Sequence, residues 1–486
     1  MGAVATALPC TPSAVAVAAR RAAFVAALLV AALLPMPRDE FFDFPALAHA
    51  WTLAPFGLLI ALAIFSRRSP WRPQLDVIAV LALFIPLAYA GVNRPWSAFL
   101  LAPPLLYVGV RLPASARLSA PPAPGLRPVL PRTWLLAGIA VLCAIHVTWA
   151  FAGAVPTDVG IDSVQGALRL FHGHALYGAS LGGGGDTYGP TNYLAYVPFA
   201  TLVSSANSAA RLATVFFSLL TALLLFLVGR RMRDSTVGVT LAFCWLALPL
   251  SLYEDALGWN DSLVAATLVG TILVADHSKS RGAMAALAAW TKFAPLALVP
   301  LLALRLRAGW RRELSTFAAG FAIASSAVFV FALAQNTPGT FLSQTLGFQA
   351  GRAPVDSIWA SFEHYGTQIS WLNASAGVLH GLVLAVTIAL ALLLPRARLR
   401  EDAAARAAAS AGVLALVTLS LSYFAFSYLL WTAPLVLIAA IVGTTPAEDV
   451  PPAATSVAVG DRREGDRAQP RDRSTGAVDE PVRIRS

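Results

Sequence analysis

The sequence predicts an all-α polytopic integral membrane protein, and three observations carry that reading. Of 486 residues, 57% are hydrophobic and only 12% charged, a charged share about half that of a soluble domain. Mean hydropathy is +0.68. The apolar residues gather in runs near the length of a bilayer-crossing helix, about 20 residues, and short loops rich in Lys and Arg separate the runs. The formal net charge of +10 would suggest a nucleic-acid ligand in a soluble protein. Here the basic residues sit in loops between apolar runs, which is how membrane topology is written, so no nucleic-acid partner is expected.

The cysteines, Cys10, Cys143 and Cys244, have neither metal nor redox spacing and read as small buried hydrophobes. Arg20 and Arg21 precede an apolar run to Leu34 that resembles a signal peptide, but no soluble domain follows it, so it is read as the first membrane helix.

In chain order, four helices are predicted at about 22–35, 45–65, 75–92 and 96–112. The first connection is acidic (Asp39, Glu40, Asp43), whereas the second (Arg67, Arg68, Arg72) and fourth (Arg111, Arg117, Arg127, Arg132) are basic, which places the N-terminus in the cytoplasm. Residues 1–112 form an N-terminal four-helix unit, and the Pro- and Ala-rich stretch 113–132 a cytoplasmic linker. Residues 133–443 form the main membrane domain. The tail 444–486, with mixed charge and little apolar content, is expected to be a disordered cytoplasmic extension.

After a span at 134–155, the stretch from Pro156 to Phe199 interrupts the apolar sequence with acids, histidines, glycines and tyrosines. It falls outside the cell by charge parity. Val164, Leu168 and Phe171 recur at helical spacing and predict an amphipathic patch lying on the membrane. The run from Tyr193 to Val203 is too short to span and reads as a juxtamembrane or re-entrant helix. Spans at 208–229, 237–253 and 261–276 follow, the last two joined by the acidic turn YEDALGWNDS.

The run Gly282–Leu304 has length for one crossing, yet one crossing would put Arg305, Arg307, Arg311 and Arg312 outside. Lys292 and Pro295 interrupt its middle, and a mid-helix Pro costs roughly 3 kcal/mol. It is therefore predicted to be a hairpin of two short helices with its apex near Lys292 and Pro295. Spans at 313–334, 373–395, 407–425 and 427–443 complete the chain, with an outer loop from Gln335 to Leu372 that carries Arg352, Asp356, Glu363, His364 and Gln368. Both termini are then cytoplasmic.

Several groups are candidates for chemistry. Asp158 and Asp162 lie beside a bilayer surface, where a membrane enzyme would keep its base; Asp162 reads equally as the cap of a helix starting at Ser163. His172 and His174 would diverge on a helix and lack a third ligand, so no metal site is expected. An ammonium inside an apolar run is costly and marks a partner or a pathway. A lipid-borne phosphate suits Lys292 on the outer side, with Arg352 as a second contact. Tyr188, Tyr193, Tyr196, Trp371, Tyr428 and Trp431 fall near the outer interface, where an aromatic belt is expected; only a subset would stack on a sugar. Tyr188, Asn260, Asp261, His364, Tyr428 and Trp431 are the substrate-binding candidates.

Four segments resemble the GT-C superfamily of polyprenyl-phosphate-sugar-dependent glycosyltransferases, and most of all glycosyltransferase family 87. They are TDVGIDSVQGALRLFHGHALYG, DTYGPTNYLAYVPF, AAWTKFAPLALVPLL and FAFSYLLWTAPLVL, which together cover roughly Trp134 to Gly443. The family's catalytic Asp matches either Asp158 or Asp162; Asp158 is preferred because it lies nearest the helix end. The resemblance implies a GT-C-like bundle of about 12 to 14 membrane helices with a re-entrant hairpin and outer juxtamembrane helices. It also implies a mannosyltransferase-like enzyme of the cell inner membrane that works without a cofactor. Such an enzyme moves a hexose from a polyprenyl-phosphate-sugar donor to an envelope glycolipid or polysaccharide. A lipid or solute transporter would also use an intramembrane Lys and broken helices, but usually as a repeated pair, and no second copy is visible in the sequence.

Overall fold

The computed structural model describes residues 14–34, 46–86, 95–121, 124–152, 155–178, 187–304, 309–334, 336–396 and 399–443. Among them the chain is helical, with no strand beyond three isolated bridges, Arg117 to Leu399, Pro124 to Gly443 and Val355 to Tyr423. The expected tail at 444–486, Cys10 and the acids of the first connection lie outside the described residues.

In order the helices are α1 (Ala14–Leu33), α2 (Ala46–Ile64), α3 (Trp71–Ala82), a 3-10 stretch Pro95–Leu101 leading into α4 (Ala102–Ser115), α5 (Arg132–Ala152), α6 (Asp158–Phe171), α7 (Pro190–Leu202) and α8 (Ala206–Met232). Then come α9 (Ser235–Leu246), α10 (Pro249–Leu257), α11 (Asp261–Leu273), α12 (Ser278–Ala289), a 3-10 turn Ala294–Leu298 with α13 (Val299–Ala303), and α14 (Trp310–Ala332). After short turns between Pro338 and Gly351 follow α15 (Ile358–Gly366), α16 (Ser370–Leu393), α17 (Ala403–Ser420) and α18 (Leu429–Val442).

Among the described residues, seven helices are long and apolar enough to cross a membrane, or eight if the bent pair α9 and α10 is one span; four shorter apolar stretches stand beside them. The chain is a multi-pass membrane protein. The pair α9 and α10 replaces the single straight span expected at 237–253, with a bend of 54°. Pro249 supplies the reason, because it cannot donate to the preceding turn.

Helix starts follow local chemistry. Ser205, Asp234 and Asp402 each place a side-chain oxygen on the first free backbone N–H groups of α8, α9 and α17. Arg20 does not precede α1 as expected but lies inside it, donating to the carbonyls of Leu62 and Phe65.

The predicted N-terminal unit and linker pack against the rest of the bundle. Helix α4 runs along α17, and α3 touches α18. Leu126 and Leu130 are buried, and Leu126 N–H donates to the carbonyl of Ala440. The Ala-rich α17 is buried along nearly its whole length, its small side chains allowing close approach of neighbouring helices. Helices α14 and α16 instead expose large apolar side chains such as Val330, Val378 and Leu382 outward.

The molecule has two ends. One gathers the basic loops: Val129 N–H donates to Ala63, Arg132 to Ser235, Arg231 to Leu273 and Asp276, Arg281 and Arg406 to the carbonyl of Ala275, and Arg400 N–H to Ala116. The other gathers the starts of α6, α7, α11 and α18. Helix α8 joins them, with Thr214 on the carbonyl of Trp259 and Arg231 on that of Leu273, about 26 Å apart along a helix that rises 1.5 Å per residue. Helices α12 and α13 fold back on each other between the two ends: Arg281 Nε donates to the carbonyl of Leu302 at 2.9 Å, and Lys292 sits in the break at the far end.

Candidate active site

Two glycines allow the elements of the site to meet. Gly258 ends α10 at φ 69°, in the left-handed region, and a Cβ there would lie 2.8 Å from Pro156. Thr157 N–H donates to the carbonyl of Leu257, tying the start of α6 to that turn. Gly189 precedes Pro190, the first residue of α7, and a Cβ on it would stand 2.0 Å from the carbonyl of Trp290. Gly189 and Thr191 N–H donate to the carbonyls of Thr291 and Trp290. The break that carries Lys292 is thereby docked on α7.

At the centre is an ion pair. Lys292 Nζ lies 2.7 Å from Asp261 Oδ1, with side-chain exposures of 11% and 1%. The Trp431 indole donates to the same oxygen at 2.6 Å. Around the ammonium stand three aromatic rings, Tyr188 at 5.5 Å, Tyr428 at 5.1 Å and Trp431 at 5.7 Å to the ring centroids. Tyr428 stacks on Trp431 at 4.4 Å. A carboxylate and three π-faces together offset the cost of placing an ammonium in a low-dielectric site.

Arg352 joins the group from the outer loop. Its guanidinium covers the Tyr423 ring at 3.2 Å and reaches the Tyr428 hydroxyl. Backbone bonds from Val355 N–H to Ser422 and from Phe424 N–H to Val355 pin this loop in place. Asp158 is the first residue of α6 and exposed, and its Oδ1 accepts from Val159 N–H. The Tyr188 hydroxyl lies within electrostatic reach of both Asp158 and Asp261. The structure thus gathers Tyr188, Asp261, Tyr428 and Trp431 around Lys292, with Arg352 joined through Tyr428 and Asp158 within electrostatic reach of Tyr188.

Other expectations are corrected. Asp162 does not cap a helix at Ser163: α6 starts at Asp158 after Thr157, and Asp162 lies one turn inside, 5% exposed. Val164 is buried against Tyr196 and Ala213, so the amphipathic face of α6 meets protein, and only Phe171 at its end is open. Tyr193 and Tyr196 are core residues rather than an interfacial belt. The turn YEDALGWNDS is not a solvated loop, since Glu254, Asp255, Asn260 and Asp261 are all buried. Asn260 bonds Asn192 at 2.9 Å and Ser163 at 3.5 Å in a polar cluster between α6 and α7. His364 is exposed on α15 with its ring against Tyr365, and none of its described contacts reaches the Lys292 group.

Sequence reasoning missed the supports. Glu254 caps α11 from a distance, accepting from Ser262 N–H at 2.5 Å and Ser262 Oγ at 2.6 Å, and so fixes the turn that presents Asp261. His146 donates from Nε2 to the carbonyl of Leu246, which the bend leaves without a helical partner, while its Nδ1 meets Asp255. A histidine inside an apolar span was the available signal, since such groups seldom stand without a partner.

Residues 187–422 match the family model of glycosyltransferase family 87. The chain is a membrane glycosyltransferase. No curated protein matches its sequence. The match takes in AAWTKFAPLALVPLL and all but the first residue of DTYGPTNYLAYVPF, and the transferase acts on a sugar donor and an acceptor. The matched segment includes Tyr188, Asn260, Asp261, Lys292, Arg352 and His364, and stops short of Asp158 on one side and of Tyr428 and Trp431 on the other.

Proposed function

We propose that this glycosyltransferase moves a hexose, with mannose the first candidate, from a polyprenyl-phosphate-linked donor to a hydroxyl of an envelope glycolipid or polysaccharide. The reaction takes place at the outer face of the cytoplasmic membrane, with both termini in the cytoplasm. The observation that supports this most is the gathering of a buried cation, a second cation and a solvent-facing carboxylate at the end of the molecule opposite the basic loops. The basic end marks the cytoplasm by the positive-inside rule. The hairpin α12–α13 then enters from the cytoplasmic side and ends at Lys292. Residues 133–443 carry the catalysis, and residues 1–112 support them.

In the mechanism, the sugar–phosphate bond opens with its electron pair going to the phosphate oxygen. Lys292 and Arg352 stabilise that developing charge, and the sugar passes through an oxocarbenium-like state. Asp158 takes the proton of the acceptor hydroxyl as the new bond forms at the anomeric carbon. Tyr188, Tyr428 and Trp431 wall the cleft, each giving one face to the ammonium and leaving edges for the sugar. Asp162, Asn260 and His364 are secondary candidates, for proton transfer and for acceptor binding. The reading is tested by mass spectrometry of envelope glycolipids and polysaccharides from a deletion strain complemented with the wild-type chain or with Asp158→Ala. One mannosylated species absent from the deletion and from the Asp158→Ala strain is expected; identical profiles in all strains would reject it.

A further inference from the structure

We propose that Asp261 sets the net charge of the phosphate site, so that it accepts a singly charged phosphodiester donor and releases the more highly charged phosphomonoester product. The proposal rests on the reading that Lys292 and Arg352 hold the donor phosphate. Those two cations would by themselves make a doubly positive site. Asp261 lies against one of them at 2.7 Å, and two donors, the ammonium and the Trp431 indole, converge on its Oδ1. Two cations and one carboxylate leave the site with a single positive charge.

That charge complements a dialkyl phosphate. During transfer the bond from the anomeric carbon to the phosphate oxygen breaks and its electron pair stays on the phosphate. The acceptor oxygen bonds the anomeric carbon, and its proton passes to Asp158. The lipid phosphate leaves the reaction as a monoester carrying about 1.5 to 2 negative charges at pH 7. Asp158 is exposed and can return its proton to water, so the added charge on the phosphate remains uncompensated. Asp261, 1% exposed and with Oδ2 lacking a hydrogen-bond partner, cannot turn into solvent to relieve the repulsion. The product is therefore disfavoured where the donor was favoured. A buried carboxylate beside a phosphate-binding cation has a use in turnover as well as in lowering the charge of the empty site from two to one.

The test uses the full chain in phosphatidylcholine nanodiscs and calorimetric titration with two probes, farnesyl phosphate (a monoester) and methyl farnesyl phosphate (a diester). Asp261→Asn keeps an oxygen for the indole and removes the charge. It is expected to tighten the monoester at least tenfold more than the diester, and Asp261→Glu is expected to keep the wild-type ratio. Arg352→Gln, at a half-exposed position, is expected to shift the ratio in the opposite direction, and keeps the test open if Asp261→Asn fails to fold. An unchanged ratio in either Asp261→Asn or Arg352→Gln would overturn the proposal. Lys292→Met separates it from its premise. If that variant binds both probes as the wild type does, the phosphate is held elsewhere and the underlying reading falls. If it loses both probes while Asp261→Asn leaves the ratio unchanged, only the role given to Asp261 falls.

Discussion

Arg281, in the first turn of α12, donates from Nε to the carbonyl of Leu302 in α13 at 2.9 Å. A continuous helix would hold those two residues about 30 Å apart, so this one bond shows that the chain returns to where it started and leaves Lys292 at the far end. The proposed topology can be tested on that arrangement. In a cysteine-free background, single cysteines at Ser278 and Ser315 should resist a membrane-impermeant maleimide in intact cells, and cysteines at His172 and Glu363 should react. Labelling of position 315 from outside would overturn the orientation given to the hairpin.

Asp158 is expected to be the base. Asp158→Asn retains the shape and the N-terminal position in α6 and loses the proton acceptor, so the rate of transfer should fall by roughly 100- to 10,000-fold with normal insertion. Asp162→Asn, at a buried position, should retain turnover within several-fold. Assays on membranes with a polyprenyl-phosphate-mannose donor decide between the two carboxylates, and reversed roles would refute the assignment.

Lys292→Met removes a charge from a pair that is nearly dry. Loss of a charge-assisted contact to the donor phosphate costs about 1.5–3 kcal/mol, about ten- to a hundredfold in affinity. The substitution also strands Asp261, at about 3–5 kcal/mol of stability. Combining it with Asp261→Asn should restore most of the melting temperature in detergent without restoring donor binding. Recovery of both would show that the pair is structural alone.

The His146–Asp255 pair is expected to act through the bend between α9 and α10. Both side chains are fully buried, so His146→Leu should destabilise by about 3–5 kcal/mol because it leaves a carboxylate unpaired, whereas the double replacement His146→Leu with Asp255→Leu should come near neutrality. Thermal denaturation in detergent measures both. A single variant as stable as the wild type would show that the pair carries no stability.

Gly189→Ala tests the docking of the Lys292 break on α7. The added methyl would meet the Trp290 carbonyl, and overpacking of this kind costs about 1–3 kcal/mol. Activity is expected to fall with stability, and an unaffected variant would show that the break moves freely.

The sequence by itself determined the membrane class, the positions of most helices and the two ends of the molecule. Apolar length and loop charge are local properties, written residue by residue. It also pointed to the break at Lys292, because a cation and a proline interrupt one apolar run. Only the tertiary structure decided what Lys292 touches. Asp261 is 31 residues away in the chain and Trp431 is 139, and no periodicity relates them; their meeting depends on Gly189 and Gly258 letting backbones approach closely. For the same reason the acids from Glu254 to Asp261 read as a solvated turn. A carboxylate's sequence neighbours do not reveal whether it meets water or a buried ammonium, a histidine and a helix N-terminus supplied by distant parts of the fold.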